Sequence, residues 1–138
     1  MRIRGSACYL DSSALVKLAA DEAESSALRV ALGTYPVRLT SRLATVEVPR
    51  ALSRKGGKRV EAASELFTSV LEGVGIIEVD ADIAARAVVL APVTLRSLDA
   101  IHLASALSVG DELVAVITYD LRMADAARAT GLIAISPA

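Results

Sequence analysis

Cysteine and histidine occur once each, as Cys8 and His102, and tryptophan is absent. One cysteine cannot close an intrachain disulfide, and it excludes a cysteine-rich zinc site. One histidine leaves little basis for a histidine-based metal centre or a nucleophilic triad. Aromatics are limited to Tyr9, Tyr35, Phe67 and Tyr119, which argues against the stacking platforms of single-strand binders. The longest run free of Asp, Glu, Lys and Arg, residues 100–110, falls far short of the ~20 apolar residues that span a bilayer. Residues 1–4 are basic, but Asp11 and Lys17 interrupt the following apolar stretch too early for a secretory leader. The reading is a soluble cytoplasmic chain. Charge of either sign is also scarce in net terms: the formal value is −1, so any nucleic-acid contact needs a local basic patch.

What is present is apolar. Hydrophobic residues make up 54% of the chain and charged ones 22%, which excludes disorder. A length of 138 residues predicts a single domain over 1–138 with a core of its own. Short apolar runs predict strands at 7–10, 36–40, 76–79, 113–118 and 132–135. Helices are expected at 12–19, 22–32, 60–72, from 80 or 81 onward, 98–108 and 121–130. Gly33, Gly73 and Gly131 sit where helices should stop. Strands alternating with helices imply an α/β fold, with a parallel sheet covered on both faces. Cys8 reads as a small buried hydrophobe in the first strand. Residues 43–48 alternate like a strand, with Pro49 as the first residue of a helix. The rival reading starts the helix near Ser41 and leaves Pro49 inside it, with a kink.

Four acids stand out: Asp11, Glu47, Asp99 and Asp120. Asp11 follows the first strand and Asp120 lies just past the fourth. Open parallel sheets bind ligands at the carboxyl ends of their strands, so topology alone puts these two on one rim. Taken singly, each Asp has a plainer reading as a helix cap, and Glu47 as a solvated carboxylate. Taken jointly, they offer the hard oxygen ligands that Mg²⁺ and Mn²⁺ prefer, and clustered carboxylates call for such a cation. Two such metals suit displacement at phosphorus. Ser12, Ser13 and Thr118 lie beside the acids and can hydrogen-bond a carboxylate or a metal-bound water; Ser12 and Ser13 can equally cap a helix. His102, three residues after Asp99, shares its helical face and reads as a satisfied surface or core histidine, with a contact to the acids as the alternative. Arg50, Arg54, Lys55, Lys58 and Arg59 form a basic run around Gly56-Gly57, and Arg96 precedes Asp99. Phosphate contacts need no more than this, although a solvated helix end reads equally well.

Four segments carry a resemblance. They are Tyr9-Leu-Asp-Ser-Ser-Ala-Leu-Val-Lys-Leu, Thr45-Val-Glu-Val-Pro-Arg-Ala-Leu, Leu98-Asp-Ala-Ile-His-Leu-Ala-Ser-Ala and Ile117-Thr-Tyr-Asp-Leu-Arg-Met-Ala-Asp-Ala-Ala. In this order they resemble PIN-domain proteins, and more narrowly the VapC toxins of bacterial type II toxin–antitoxin systems. The resemblance runs from about Tyr9 to Pro137. It implies a three-layer α/β/α sandwich with a central, mostly parallel sheet. It implies a Mg²⁺- or Mn²⁺-dependent endoribonuclease, with Asp11, Glu47, Asp99 and Asp120 as the acidic quartet and Asp11, Asp99 and Asp120 as metal ligands. It places Ser12 or Ser13, and Thr118, at hydroxyl positions near the site. It favours a kinked helix around Glu47. It also implies a VapB-like antitoxin partner, an RNA substrate and a homodimer.

Three other readings compete. A receiver-like signalling domain needs a Lys after the last strand, and 132–138 has none. A haloacid-dehalogenase-like phosphatase wants an Asp at position 13, which is Ser. A catalytically inactive interaction module on the same fold is opposed by the intact quartet.

Overall fold

The computed structural model describes residues 5–138; the basic segment 1–4 lies outside the described residues. Five strands, β1 (Ala7–Leu10), β2 (Val37–Ser41), β3 (Val74–Ile77), β4 (Leu113–Ile117) and β5 (Ala134–Ile135), form one sheet in the order β3-β2-β1-β4-β5. Every neighbouring pair is parallel. Seven helices connect them: α1 (Ser12–Ala19), α2 (Ser25–Leu32), α3 (Ala44–Gly56), α4 (Val60–Val70), α5 (Ala81–Val88), α6 (Ser97–Leu107) and α7 (Leu121–Ala129). No helix is long and apolar enough, among the described residues, to cross a membrane.

The two-residue period of β1 builds both cores. Cys8 and Leu10 point to one face, where Leu15, Leu28, Val48 and Phe67 of α1–α4 cover them. Tyr9 points to the other face, among Leu103 of α6 and Met123, Ala124 and Ala127 of α7. Both faces are thus closed by helices, giving the three layers expected. Cys8 is the buried small hydrophobe that its strand context implied.

The chain resumes its wind on opposite sides of β1, so the sheet order reverses between β1 and β4. A crevice opens outside the carboxyl ends of strands at such a point. Asp11 and Asp120 flank it, one after each strand.

Residues 44–48 are helical, with Leu43 as the N-cap, which overturns the strand reading of the alternation. Ala44, Val48 and Leu52 recur every fourth residue and are buried on α3, while Val46 faces solvent. That buried stripe outweighs the β-branched pattern. Pro49 lies inside the helix. Its missing N–H leaves the Thr45 carbonyl without the usual partner four residues on. The helix closes at Gly57, whose φ of +64° is left-handed.

Several element ends differ from expectation by one to three residues, and ion pairs account for two of them. The second helix starts at Ser25, because Glu22 and Glu24 turn back to pair with Lys17 at 2.8 and 3.0 Å. The third strand runs Val74–Ile77, two residues early: it leaves the sheet at Glu78, whose carboxylate takes two hydrogen bonds from Arg42 at 2.9 and 2.6 Å. At the opposite edge, β5 is only two residues long, and Arg128 Nη2 donates to its Ala134 carbonyl at 2.9 Å.

Candidate active site

Asp11 is the N-cap of α1. Its Oδ1 accepts from the Ala14 backbone N–H at 3.0 Å and from Ser13 Oγ at 2.6 Å, and its Oδ2 accepts from the Thr118 hydroxyl. The residue is only 5% exposed. Burial pushes its carboxyl above the ordinary value, against the pull of the Ser13 and Thr118 hydrogen bonds.

Thr118 is fully buried and ties two acids together. Its hydroxyl donates to Asp11 and accepts from the Asp120 backbone N–H at 3.1 Å. Asp120 in turn caps α7, accepting from Arg122 N at 2.9 Å and Met123 N at 3.4 Å. Ser13 works similarly, accepting from Tyr119 N at 2.9 Å while it donates to Asp11. The structural reading of Asp11 and Asp120 as helix caps is therefore correct, and it is the capping that fixes where each carboxylate stands.

Asp99 enters from the first turn of α6. Its carboxyl is also pushed up, first by burial and then by the charge of Asp120, with Arg96 and His102 opposing. Arg96 reaches across this pair: its Nε lies 3.6 Å from Asp99 Oδ2 and its Nη2 3.9 Å from Asp120 Oδ2. Glu47 arrives from the opposite layer, in the first turn of α3. Its Oε1 accepts from Ser12 Oγ at 2.6 Å and pairs with His102 Nε2 at 2.7 Å. Burial acts upward on Glu47, but the hydrogen bonds from His102 and Ser12 outweigh it and leave the carboxyl below its usual range.

All four acids line one cleft of about 310 Å³, with Ser12, Ser13, Arg96 and His102 on its walls. Among the described residues, no three His, Cys, Asp or Glu side chains converge closely enough to hold a metal ion as they stand. The donor set nonetheless fits a hard cation. It is rich in carboxylate oxygen, and Mg²⁺ usually keeps several waters and takes only one or two carboxylates. The upward push of Asp120 on Asp99 is the repulsion that a cation relieves.

The basic residues divide. Arg54 and Lys55 line a second cleft of about 420 Å³ that shares Ser12, Ser13 and Glu47 with the first. Arg50, Lys58 and Arg59 are exposed and stand outside both, Arg59 within 3.8 Å of Glu61. Arg96 belongs to the acidic cleft itself.

Sequence reasoning undervalued His102 and overlooked Tyr9. His102 is buried, and its Nδ1 lies 2.6 Å from the Tyr9 hydroxyl. The one signal available was the three-residue step from Asp99, which puts His102 on the acid's side of α6.

Comparison with known proteins bears on the whole arrangement. The PIN domain family matches residues 8–129. Ribonuclease VapC46 of Mycobacterium tuberculosis is 47% identical over 131 residues, covering 95% of this chain and 98% of that protein. Among solved structures, Mycobacterium tuberculosis VapC20, a Sarcin-Ricin loop cleaving toxin, superposes with a TM-score of 0.72 at 20% identity, covering 94% of this chain and 99% of that one. A toxin–antitoxin complex from Klebsiella pneumoniae gives 0.66 at 24% identity, over 85% and 89%. The acid-lined crevice at the β1/β4 boundary thus sits in a fold shared with these solved structures, and the match over residues 8–129 and the 47% identity show that the chain belongs to the PIN-domain family, among its VapC ribonucleases.

Proposed function

We propose that this chain is the toxin of a type II toxin–antitoxin pair and hydrolyses RNA phosphodiester bonds in the acidic cleft, with Mg²⁺ or Mn²⁺. The observation that carries this is the gathering of Asp11, Glu47, Asp99 and Asp120 on one cleft at the sheet's switch point. Asp11, Asp99 and Asp120 would hold the cation, directly or through its waters. When bound, it supplies Lewis acidity to the attacking water and to the leaving oxygen. Glu47 completes the shell or orients the water. Ser13 and Thr118 hold Asp11, and Ser12 holds Glu47.

Arg54 and Lys55 grip RNA phosphates along the adjoining cleft, with Arg50, Lys58 and Arg59 extending the patch and Arg96 acting at the acids. With a net charge of −1, attraction of RNA rests on local patches such as this one. The relative seen as a toxin–antitoxin complex supports a VapB-like antitoxin as partner here too. We also assign a homodimer, a single domain and a cytoplasmic site of action.

The test is cleavage of total bacterial RNA by antitoxin-free protein with Mg²⁺, with Mn²⁺ and with chelator, beside Asp99→Asn. Discrete metal-dependent products, absent in the variant, are expected. Metal-independent products, or an active and folded Asp99→Asn, refute the assignment.

A further inference from the structure

His102 is the chain's one histidine, and it sits in the interior with both ring nitrogens engaged. Nε2 is 2.7 Å from Glu47 Oε1 and 3.1 Å from Ser12 Oγ. Nδ1 is 2.6 Å from the hydroxyl of Tyr9, which is itself fully buried. The two rings meet edge to face, with centroids 5.9 Å apart and planes at 73°.

The protons follow from the partners. A carboxylate oxygen only accepts, so Nε2 carries the hydrogen on the Glu47 side. Ser12 spends its own proton on Glu47, so it too accepts from Nε2. In the neutral ring this leaves Nδ1 to accept from Tyr9. Glu47 Oε1 is then held by two donors, from α1 and from α6. Its Oε2 takes no hydrogen bond among the described residues and is the oxygen left for the cleft. Glu47 is anchored on α3, so this contact joins helix layers on opposite faces of the sheet.

We propose that His102, with its tautomer fixed by Tyr9, is a positioning residue that sets Glu47 Oε1 and thereby aims Oε2 at the reacting centre. The idea rests on the nuclease reading above. It differs from a space-filling role because a histidine that only packs needs no hydrogen-bond donor at Nε2.

The test compares His102→Leu, which fills the space without a donor, with His102→Gln, whose amide nitrogen reaches the position of Nε2. Tyr9→Phe removes only the hydroxyl. The readouts are kcat and KM on RNA, Mn²⁺ affinity by calorimetry, and the imidazole ¹⁵N spectrum of untagged protein, in which every signal belongs to His102. Folded His102→Leu is expected to lose about 10- to 100-fold in kcat or Mn²⁺ affinity with KM little changed, and His102→Gln to restore most of it. The wild-type ring is expected as the Nε2–H tautomer, with that population falling in Tyr9→Phe.

Equal losses in the Leu and Gln variants, or wild-type behaviour in both, overturn the proposal. If His102→Leu does not fold, Tyr9→Phe decides: unchanged kcat together with an unchanged ring spectrum overturns it. If the wild type cleaves no RNA, the nuclease reading fails separately. The ring spectrum still judges the geometry, since Glu47→Gln must then shift the Nε2 resonance, and an unmoved resonance overturns the positioning contact.

Discussion

Thr118→Val removes one hydroxyl that serves two acids, and the chain contains its own control. Thr118 and Thr40 are both fully buried. Thr118 donates to the Asp11 carboxylate, whereas Thr40 donates to the neutral Leu10 carbonyl at 2.7 Å. A hydrogen bond to a neutral acceptor contributes about 1 kcal/mol, and one to a charged group about 1.5–3 kcal/mol. Thr118→Val also takes the acceptor away from the Asp120 N–H, which adds up to about 1 kcal/mol. The expected costs are about 1.5–4 kcal/mol for Thr118→Val and about 1 kcal/mol for Thr40→Val. A domain with about 5–15 kcal/mol to lose stays folded in either case. Urea unfolding in chelator at neutral pH measures both, with the m-value as the check that the transition is unchanged.

The pH dependence gives a second handle. Losing a donor to the ionised form raises the folded pKa of Asp11 beyond its already elevated position. The excess cost of Thr118→Val is therefore complete above that folded value. It is lost as pH falls through it, where the protonated carboxyl is no longer a charged acceptor. Equal costs for the two threonines at neutral pH would refute the claim that Thr118 holds an ionised Asp11.

Other outcomes follow from the same cleft. Asp99→Asn is expected to abolish cleavage yet raise the melting temperature of metal-free protein, because it removes a carboxylate disfavoured by burial and by Asp120. Its raised folded pKa makes the wild-type penalty present at neutral pH and relieved toward acid, so the gain should shrink in melts at acidic pH. Mg²⁺ at about 100 times its Kd should stabilise the wild type by about 2.7 kcal/mol in the same melts, and Asp99→Asn should lose most of that. Replacing Arg54 and Lys55 with Ala should weaken RNA binding at every sequence. It should also flatten the plot of log affinity against log salt by about one for each phosphate no longer neutralised; an unchanged slope removes these residues from the interface.

Why the acids were legible and their support was not is a matter of range. Asp11 and Asp120 announce themselves because a strand end and a helix start both lie within a few residues of each, and a parallel sheet aligns such points. The buried stripe of Ala44, Val48 and Leu52 was equally open to inspection, yet the local alternation around Glu47 competed with it, and only the fold decides between the two periods. The β3 boundary depended on Arg42 and Glu78 meeting across 36 residues. The Tyr9–His102 pairing spans 93, inside two segments that read as plain apolar core. A tyrosine in a buried strand carries no local mark of the partner its hydroxyl will find.

The short fifth strand limits how another chain can attach. β5 offers two rungs, and Arg128 already claims the Ala134 carbonyl. That edge gives a visiting peptide almost nothing to zip onto, which also discourages edge-to-edge aggregation. A binder that docks by extending the sheet must run along β3, two strands away from the β1/β4 crevice. A blocking segment that reaches the acids from there has to cross the strand ends rather than follow them.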